Sequence, residues 1–189
     1  MRVTVHNSIN DIAPTQWDAI LGDNRTIFSH AFLKATEESG INDCRFFYLV
    51  FWAEDGKIAA HACTYSIPTD LLIFSSRVVK YLINSVRKKF PGFLKPRFLE
   101  CGSPAYLGQP CSLREGVTFS DIAEPLSHTL DSIALSEGIR FIVLRDFSRA
   151  ELAKFRFVEG YGFHIIENLP DTELEIRWQS YDRYIASMR

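Results

Sequence analysis

Residues 121–144 read DIAEPLSHTLDSIALSEGIRFIVL. Ile122, Leu126, Leu130 and Ile133 recur at helical spacing and form one apolar stripe. Asp121 with Glu124 has the form of a capping box, and Pro125 falls in the opening turn, where its missing N–H costs least. Gly138 stops the helix. Residues 141–144 are nearly all apolar, as a strand covered on both faces is. A further strand, residues 97–100, precedes the helix across an irregular stretch, residues 102–119. Two strands with a helix between them make parallel neighbours, and such a unit belongs to α/β architecture.

Upstream, the pattern adds sheet and cover. Val3 and Val5 alternate with polar neighbours and predict an opening strand. Residues 12–21 read as a short helix with Trp17, Ile20 and Leu21 on one face. Ser29 caps a second helix running to Glu38, with Phe32, Leu33 and Ala35 inward and Gly40 as its stop. Residues 46–53 are rich in aromatic and β-branched types. Glu54-Asp55-Gly56-Lys57 supplies an Asp-Gly turn and residues 58–67 run back, which makes a hairpin. After Pro68, residues 76–89 place Val78, Val79, Leu82, Ile83 and Val86 on one helical stripe, ended by Pro91 and Gly92.

Downstream, Ser148 can cap a helix over residues 149–158. Gly160 and Gly162 turn into a strand over residues 163–168, and residues 172–178 alternate as a last strand. Residues 179–189 begin an amphipathic helix without a C-cap, the mark of a continuation.

The chain has 189 residues, 47% hydrophobic and 23% charged, enough to bury one sizeable core. A net charge of −2 excludes a generally basic nucleic-acid binder but not a local basic patch. The four cysteines show no CxxC pair and the five histidines no metal-ligand spacing, so the thiols read as reduced and no metal is expected. The longest apolar run is far too short to span a bilayer and no apolar signal core opens the chain, which favours the cytoplasm.

Two stretches carry a resemblance. Phe155-Arg-Phe-Val-Glu-Gly-Tyr-Gly-Phe163 is similar to the helix of GNAT-superfamily N-acetyltransferases that ends in Gly-Phe and enters a strand. Trp17, then Ile27-Phe-Ser-His-Ala-Phe-Leu-Lys-Ala-Thr-Glu-Glu-Ser-Gly40, then the hairpin, resembles the start of Fem-like, peptidoglycan-biosynthesis-type acyltransferases, which carry two GNAT-like lobes in one chain. The resemblance implies an α/β, GNAT-like mixed twisted sheet of about six to seven strands flanked by helices. Residues 1–178 are then an N-terminal lobe, and 179–189 the truncated start of an interlobe helix.

The departures limit the activity expected. GNAT donors are held by a Q/R-x-x-G-x-G/A turn whose amides and helix N-terminus take the pyrophosphate. No such string stands between Glu100 and Ile122, and Pro110 removes a donor from Gly108-Gln-Pro110. The family's frequent general-acid tyrosine is replaced by Val158, with Tyr161 beside the glycine. The resemblance therefore implies a lobe that binds no cofactor itself. Acyl-CoA or aminoacyl-tRNA is the donor for the full enzyme, a second GNAT-like lobe is the partner in the same chain, and an amine-bearing small molecule or peptide is the acceptor. Two alternatives stay open: a non-catalytic GNAT-like binding module, or a complete acetyl-CoA-dependent acetyltransferase with an atypical donor loop.

Ligands in open α/β sheets lie at the carboxyl ends of adjacent parallel strands. Ser103, Tyr106 and Gln109 after one such strand, with Arg145 and Asp146 after the next, are the substrate-binding candidates; loop capping and a self-satisfied ion pair are the bland alternative. From residue 71 to residue 99 there are seven basic residues and no acid. Arg87, Lys88 and Lys89 are the phosphate-binding candidates there, for a nucleotide-linked precursor, tRNA or an anionic lipid surface, against a merely solvated helix face. Cys101 and Cys111 flank the crevice without a paired histidine. His30 and His61 read as structural.

Overall fold

The computed structural model describes residues 1–22, 26–105, 110–145, 147, 152–153, 155–167 and 174–188. Six strands form one sheet: β1 (Arg2–His6), β2 (Arg45–Trp52), β3 (Ile58–Pro68), β4 (Arg97–Cys101), β5 (Cys111–Leu113) and β6 (Phe141–Leu144). The spatial order is β1-β2-β3-β4-β6, with β5 also on β3. All ladders are antiparallel except β4–β6, which is parallel with Phe98 opposite Phe141 and Cys101 opposite Leu144.

Alternation along β2 divides its side chains between two cores. Leu49 and Phe51 join Leu99, Ile122, Leu126 and Leu130 beneath α4 (Phe119–Glu137). Tyr48 and Val50 join Ile9, Trp17, Leu33 and Tyr65 beneath α1 (Pro14–Asp18) and α2 (His30–Glu38). β3 has both faces covered and neighbours on both edges, so Ile58 to Ser66 are all buried.

Trp17 is fully buried and its Nε1 donates to the Phe28 carbonyl at 2.9 Å. His61 stacks on the Trp17 ring at 3.7 Å, and its Nε2 lies 2.9 Å from the Trp17 carbonyl. His30 Nε2 reaches the Ile9 and Ile12 carbonyls at 2.9 and 3.0 Å. Both imidazoles serve the fold.

Several local expectations shift. In α2 Leu33 is buried and Phe32 half-buried as expected, but Ala35 is exposed, and His30 and Thr36 are buried because each finds a backbone carbonyl acceptor. In α4 the cap is Thr118, not Asp121: the Asp121 carboxylate accepts from the Thr118 N–H at 2.8 Å and from its hydroxyl at 2.7 Å. Pro125 therefore lies in the second turn.

α3 (Arg77–Arg87), capped by Ser76, carries the anticipated apolar stripe, yet none of its residues is buried. Residues 163–167 and 174–178 join no ladder among the described residues. Alternation marks two unlike faces but does not supply a partner edge, and β6 offers only four residues. The helix expected over 149–158 falls partly outside the described residues; its described end is a 3-10 turn, Arg156–Tyr161. α5 (Tyr181–Ser187), capped by Ser180, closes the described chain. No described helix is long and apolar enough to cross a membrane.

Candidate functional site

β4 and β6 end level with each other, at Cys101 and Leu144, so their carboxyl ends lie side by side, where open α/β sheets place a ligand crevice. β4 also stops short along β3. After Cys101 opposite Thr64, the Gly102 N–H bonds the Cys63 carbonyl at 2.9 Å. The chain then leaves and returns as β5, with Cys111 opposite Ala62. β4 and β5 thus lie on one line along the same edge of β3, with residues 102–110 between them in sequence.

Three polar side chains meet at these strand ends. Tyr65 on β3 faces Glu100 on β4, and its hydroxyl donates to Glu100 Oε2 at 2.5 Å. Arg145, one residue past β6, donates through Nη1 to the Tyr65 oxygen at 2.6 Å and to Glu100 Oε2 at 2.8 Å. Burial, then the hydrogen bond to and charge of Glu100, push the Tyr65 phenol well above its usual range, so it stays a donor. Both bonds to Glu100 fall on Oε2, and Oε1 carries none among the described residues. The Glu100 side chain as a whole is 16% exposed.

Gly102 makes the approach of Arg145 possible. Its φ is +149°, and a Cβ there would stand 3.1 Å from Arg145 Cγ. The arginine stem passes over bare backbone at a position that glycine alone occupies without strain.

Of the sequence candidates, the structure puts Arg145 in this cluster. Ser103 follows Gly102, is buried, and its hydroxyl accepts from the Ala105 N–H at 3.3 Å. Tyr106, Gln109 and Asp146 lie outside the described residues. Tyr65 and Glu100 were missed by reading only the residues after the strands. The available signal was an acid within the short strand 97–101, directly before the crevice.

The basic candidates lie elsewhere, around α3. Arg87 grips Asp70 with two bonds of 2.8 and 2.7 Å, and its Nε donates to the Phe93 carbonyl at 2.9 Å. That fork, with the Leu72 N–H, holds the Asp70 carboxyl down at about 2. Lys88 and Lys89 are exposed, and their side chains make no hydrogen bond among the described residues. The geometry thus divides the three, with Arg87 fastening the segment and the two lysines facing solvent.

Cys63, Cys101 and Cys111 are buried thiols of the sheet. Cys101 and Cys111 are buried on the α4 side of the sheet and hydrogen-bond each other, which with burial keeps Cys111 well above the usual thiol range. Burial does the same for Cys63. No group of three or more His, Cys, Asp or Glu side chains among the described residues could hold a metal ion.

No protein-family profile matches the chain. Over 164 residues, 86% of its length, it is 26% identical to a Mycobacterium tuberculosis (strain ATCC 25618 / H37Rv) protein described as "Putative 8-amino-7-oxononanoate synthase 2". The match covers 21% of that relative, so the chain spans about a fifth of the length of the curated relatives it matches.

Among solved structures, the BH1408 protein of Bacillus halodurans superposes with a TM-score of 0.55 at 15% identity, covering 92% of this chain and all of that one. A Trypanosoma brucei acetyltransferase gives 0.51 at 15% identity, with 92% of this chain covered and 100% of the other. Glucosamine-6-phosphate N-acetyltransferase of Arabidopsis thaliana gives 0.51 at 13%, with coverages of 93% and 100%. Identities this low establish the fold. It is the expected GNAT-like α/β fold, a mixed six-stranded sheet flanked by helices.

Proposed function

We propose that this chain is a GNAT-like lobe of an N-acyltransferase that receives the amine-bearing acceptor, while the acyl donor is held outside it. The observation that carries the reading is the Tyr65–Glu100–Arg145 cluster at the carboxyl ends of the parallel strands. Tyr65 and Arg145 fix Oε2 of Glu100, which leaves Oε1 to receive the acceptor's ammonium and take its proton. The neutral amine then attacks the acyl carbon. The new C–N bond forms as the thioester or ester bond to the donor breaks, and the proton then shed by the nitrogen leaves on the departing thiolate or alkoxide. Arg145 belongs to that cluster, and Ser103, Tyr106, Gln109 and Asp146 stay the further acceptor-binding candidates named from the sequence.

Donor exclusion has its own support. A pyrophosphate on this fold would seek the N-terminus of α4, and there Asp121 already bonds the Thr118 N–H and hydroxyl. The Thr118 backbone and hydroxyl bonds hold that carboxyl below its ordinary range, so a negative charge stands where a phosphate would sit. Acyl-CoA or aminoacyl-tRNA is then bound by a second GNAT-like lobe of the same polypeptide. A match that fills only a fifth of its curated relative is in keeping with such a unit working within a longer chain. The Fem-like assignment, with a peptidoglycan precursor as acceptor, extends this reading.

Ligand-detected NMR with a panel of primary amines and nucleotide-sugar peptides tests it, alongside thermal melting with acetyl-CoA. Amine binding that disappears in Glu100→Gln, with no melting shift from acetyl-CoA, is the expected pair of results. A rise in Tm that grows with acetyl-CoA concentration would instead place the donor in this lobe. Amine binding indifferent to Glu100 would remove the cluster from the mechanism.

A further inference from the structure

α3 is fastened to the domain by the wrong side for an ordinary surface helix. Its half-buried positions are Lys80, Ile83 and Arg87. Lys80 Nζ donates to the Ile73 carbonyl at 3.0 Å, and Arg87 holds Asp70 and the Phe93 carbonyl. The apolar stripe points outward: Val78, Leu82 and Val86, one turn apart, are 69%, 59% and 39% exposed. Phe74 before the helix and Phe90 after it add 83% and 66% exposed rings. A surface helix normally turns such a stripe to the core, and a continuous apolar patch on a domain this size marks a contact surface.

Charge decides what the contact is. Residues 71–99 hold seven of the 21 basic residues and none of the 23 acids, so the rest of the chain is strongly acidic. Asp70 and Asp43 occupy Arg87 and Arg97. Arg77, Lys88 and Lys89, exposed at the two ends of the helix, form no ion pair among the described residues. A second copy docked here by two-fold symmetry would set these like charges against one another. A surface that is apolar inside and negative at its rim matches them on both counts.

We propose that α3 and its flanking turns dock on an anionic phospholipid membrane, lying in the headgroup plane. Val78, Leu82, Val86, Phe74 and Phe90 enter the boundary with the acyl chains, and the lysines meet lipid phosphates. The acidic remainder of the domain is repelled by the same surface and faces away from it. This inference does not depend on the acyl-transfer reading.

Flotation of the intact chain with vesicles is the test. Phosphatidylglycerol-containing vesicles are expected to carry the protein up the gradient, pure phosphatidylcholine vesicles much less, and added salt to release it. Lys88→Gln/Lys89→Gln should weaken binding roughly 30-fold, and Leu82→Gln by at least about 10-fold. All three positions are exposed, so circular dichroism should be unchanged. Absence of wild-type flotation, equal binding to neutral vesicles, or full binding by both variants would each overturn the proposal. So would light scattering that shows a dimer which Leu82→Gln dissociates, since the face would then belong to self-association.

Discussion

Exchanging Glu100 for Gln and Arg145 for Met, singly and together, measures how tightly the crevice cluster is bound to itself. The nitrogen of Arg145 lies 2.8 Å from Glu100 Oε2, with the two side chains 30% and 16% exposed. Exposed pairs couple by about 0.2–1 kcal/mol, and breaking a fully buried pair costs about 3–5 kcal/mol. This pair sits between those limits, and a hydrogen bond to a charged group contributes about 1.5–3 kcal/mol. The shared Tyr65 hydroxyl remains in all four proteins and so cancels from the cycle. We expect each single change to destabilise by about 2 kcal/mol and the pair to couple by a similar amount. Urea unfolding followed by tryptophan fluorescence reads this, provided the m-value stays constant. Single-mutant effects that simply add, within about 0.5 kcal/mol, would refute the claim that these groups form one pre-set unit.

Gly102→Ala should destabilise by about 1–3 kcal/mol and displace the Arg145 side chain, both visible in unfolding curves and in NMR of the guanidinium. Ser29→Ala removes the acceptor for the Phe32 N–H and should cost about 1 kcal/mol in the same unfolding assay. Trp17→Phe strands the Phe28 carbonyl and should cost about 1–3 kcal/mol, read by denaturation under circular dichroism. The Asp70–Arg87 clamp has a depressed carboxyl. Its contribution is therefore complete above the ordinary Asp range and lost as pH falls through about 2. Protection of the Arg87 Nη hydrogens from exchange, followed by NMR down to that pH, should fail in the same window.

The fold was legible wherever hydrophobic period and turn chemistry agreed. The Asp-Gly hairpin gave β2 and β3, and the stretch ending in FIVL gave the parallel β4–β6 pair, because each needs only local pattern and one topological rule. Two levels escaped. The stripe on α3 is as regular as a buried one, and sequence cannot say whether a stripe faces the core or the outside. The site was half legible for a related reason. Arg145 lies where strand ends usually carry function, but Tyr65 and Glu100 sit inside strands. Only the β3–β4 register, Tyr65 opposite Glu100, turns two separate residues into a pair. Pairing across 35 residues leaves no mark in either local pattern.

The break between β4 and β5 has a consequence for how this scaffold can diversify. Both stumps are pinned to the same strand, so the sheet does not register how many residues pass between them. Closing a loop twice as long costs only about 0.6 kcal/mol more. The residues between the two stumps can thus be exchanged like a cassette while the strands that carry Glu100 and Tyr65 stay in place.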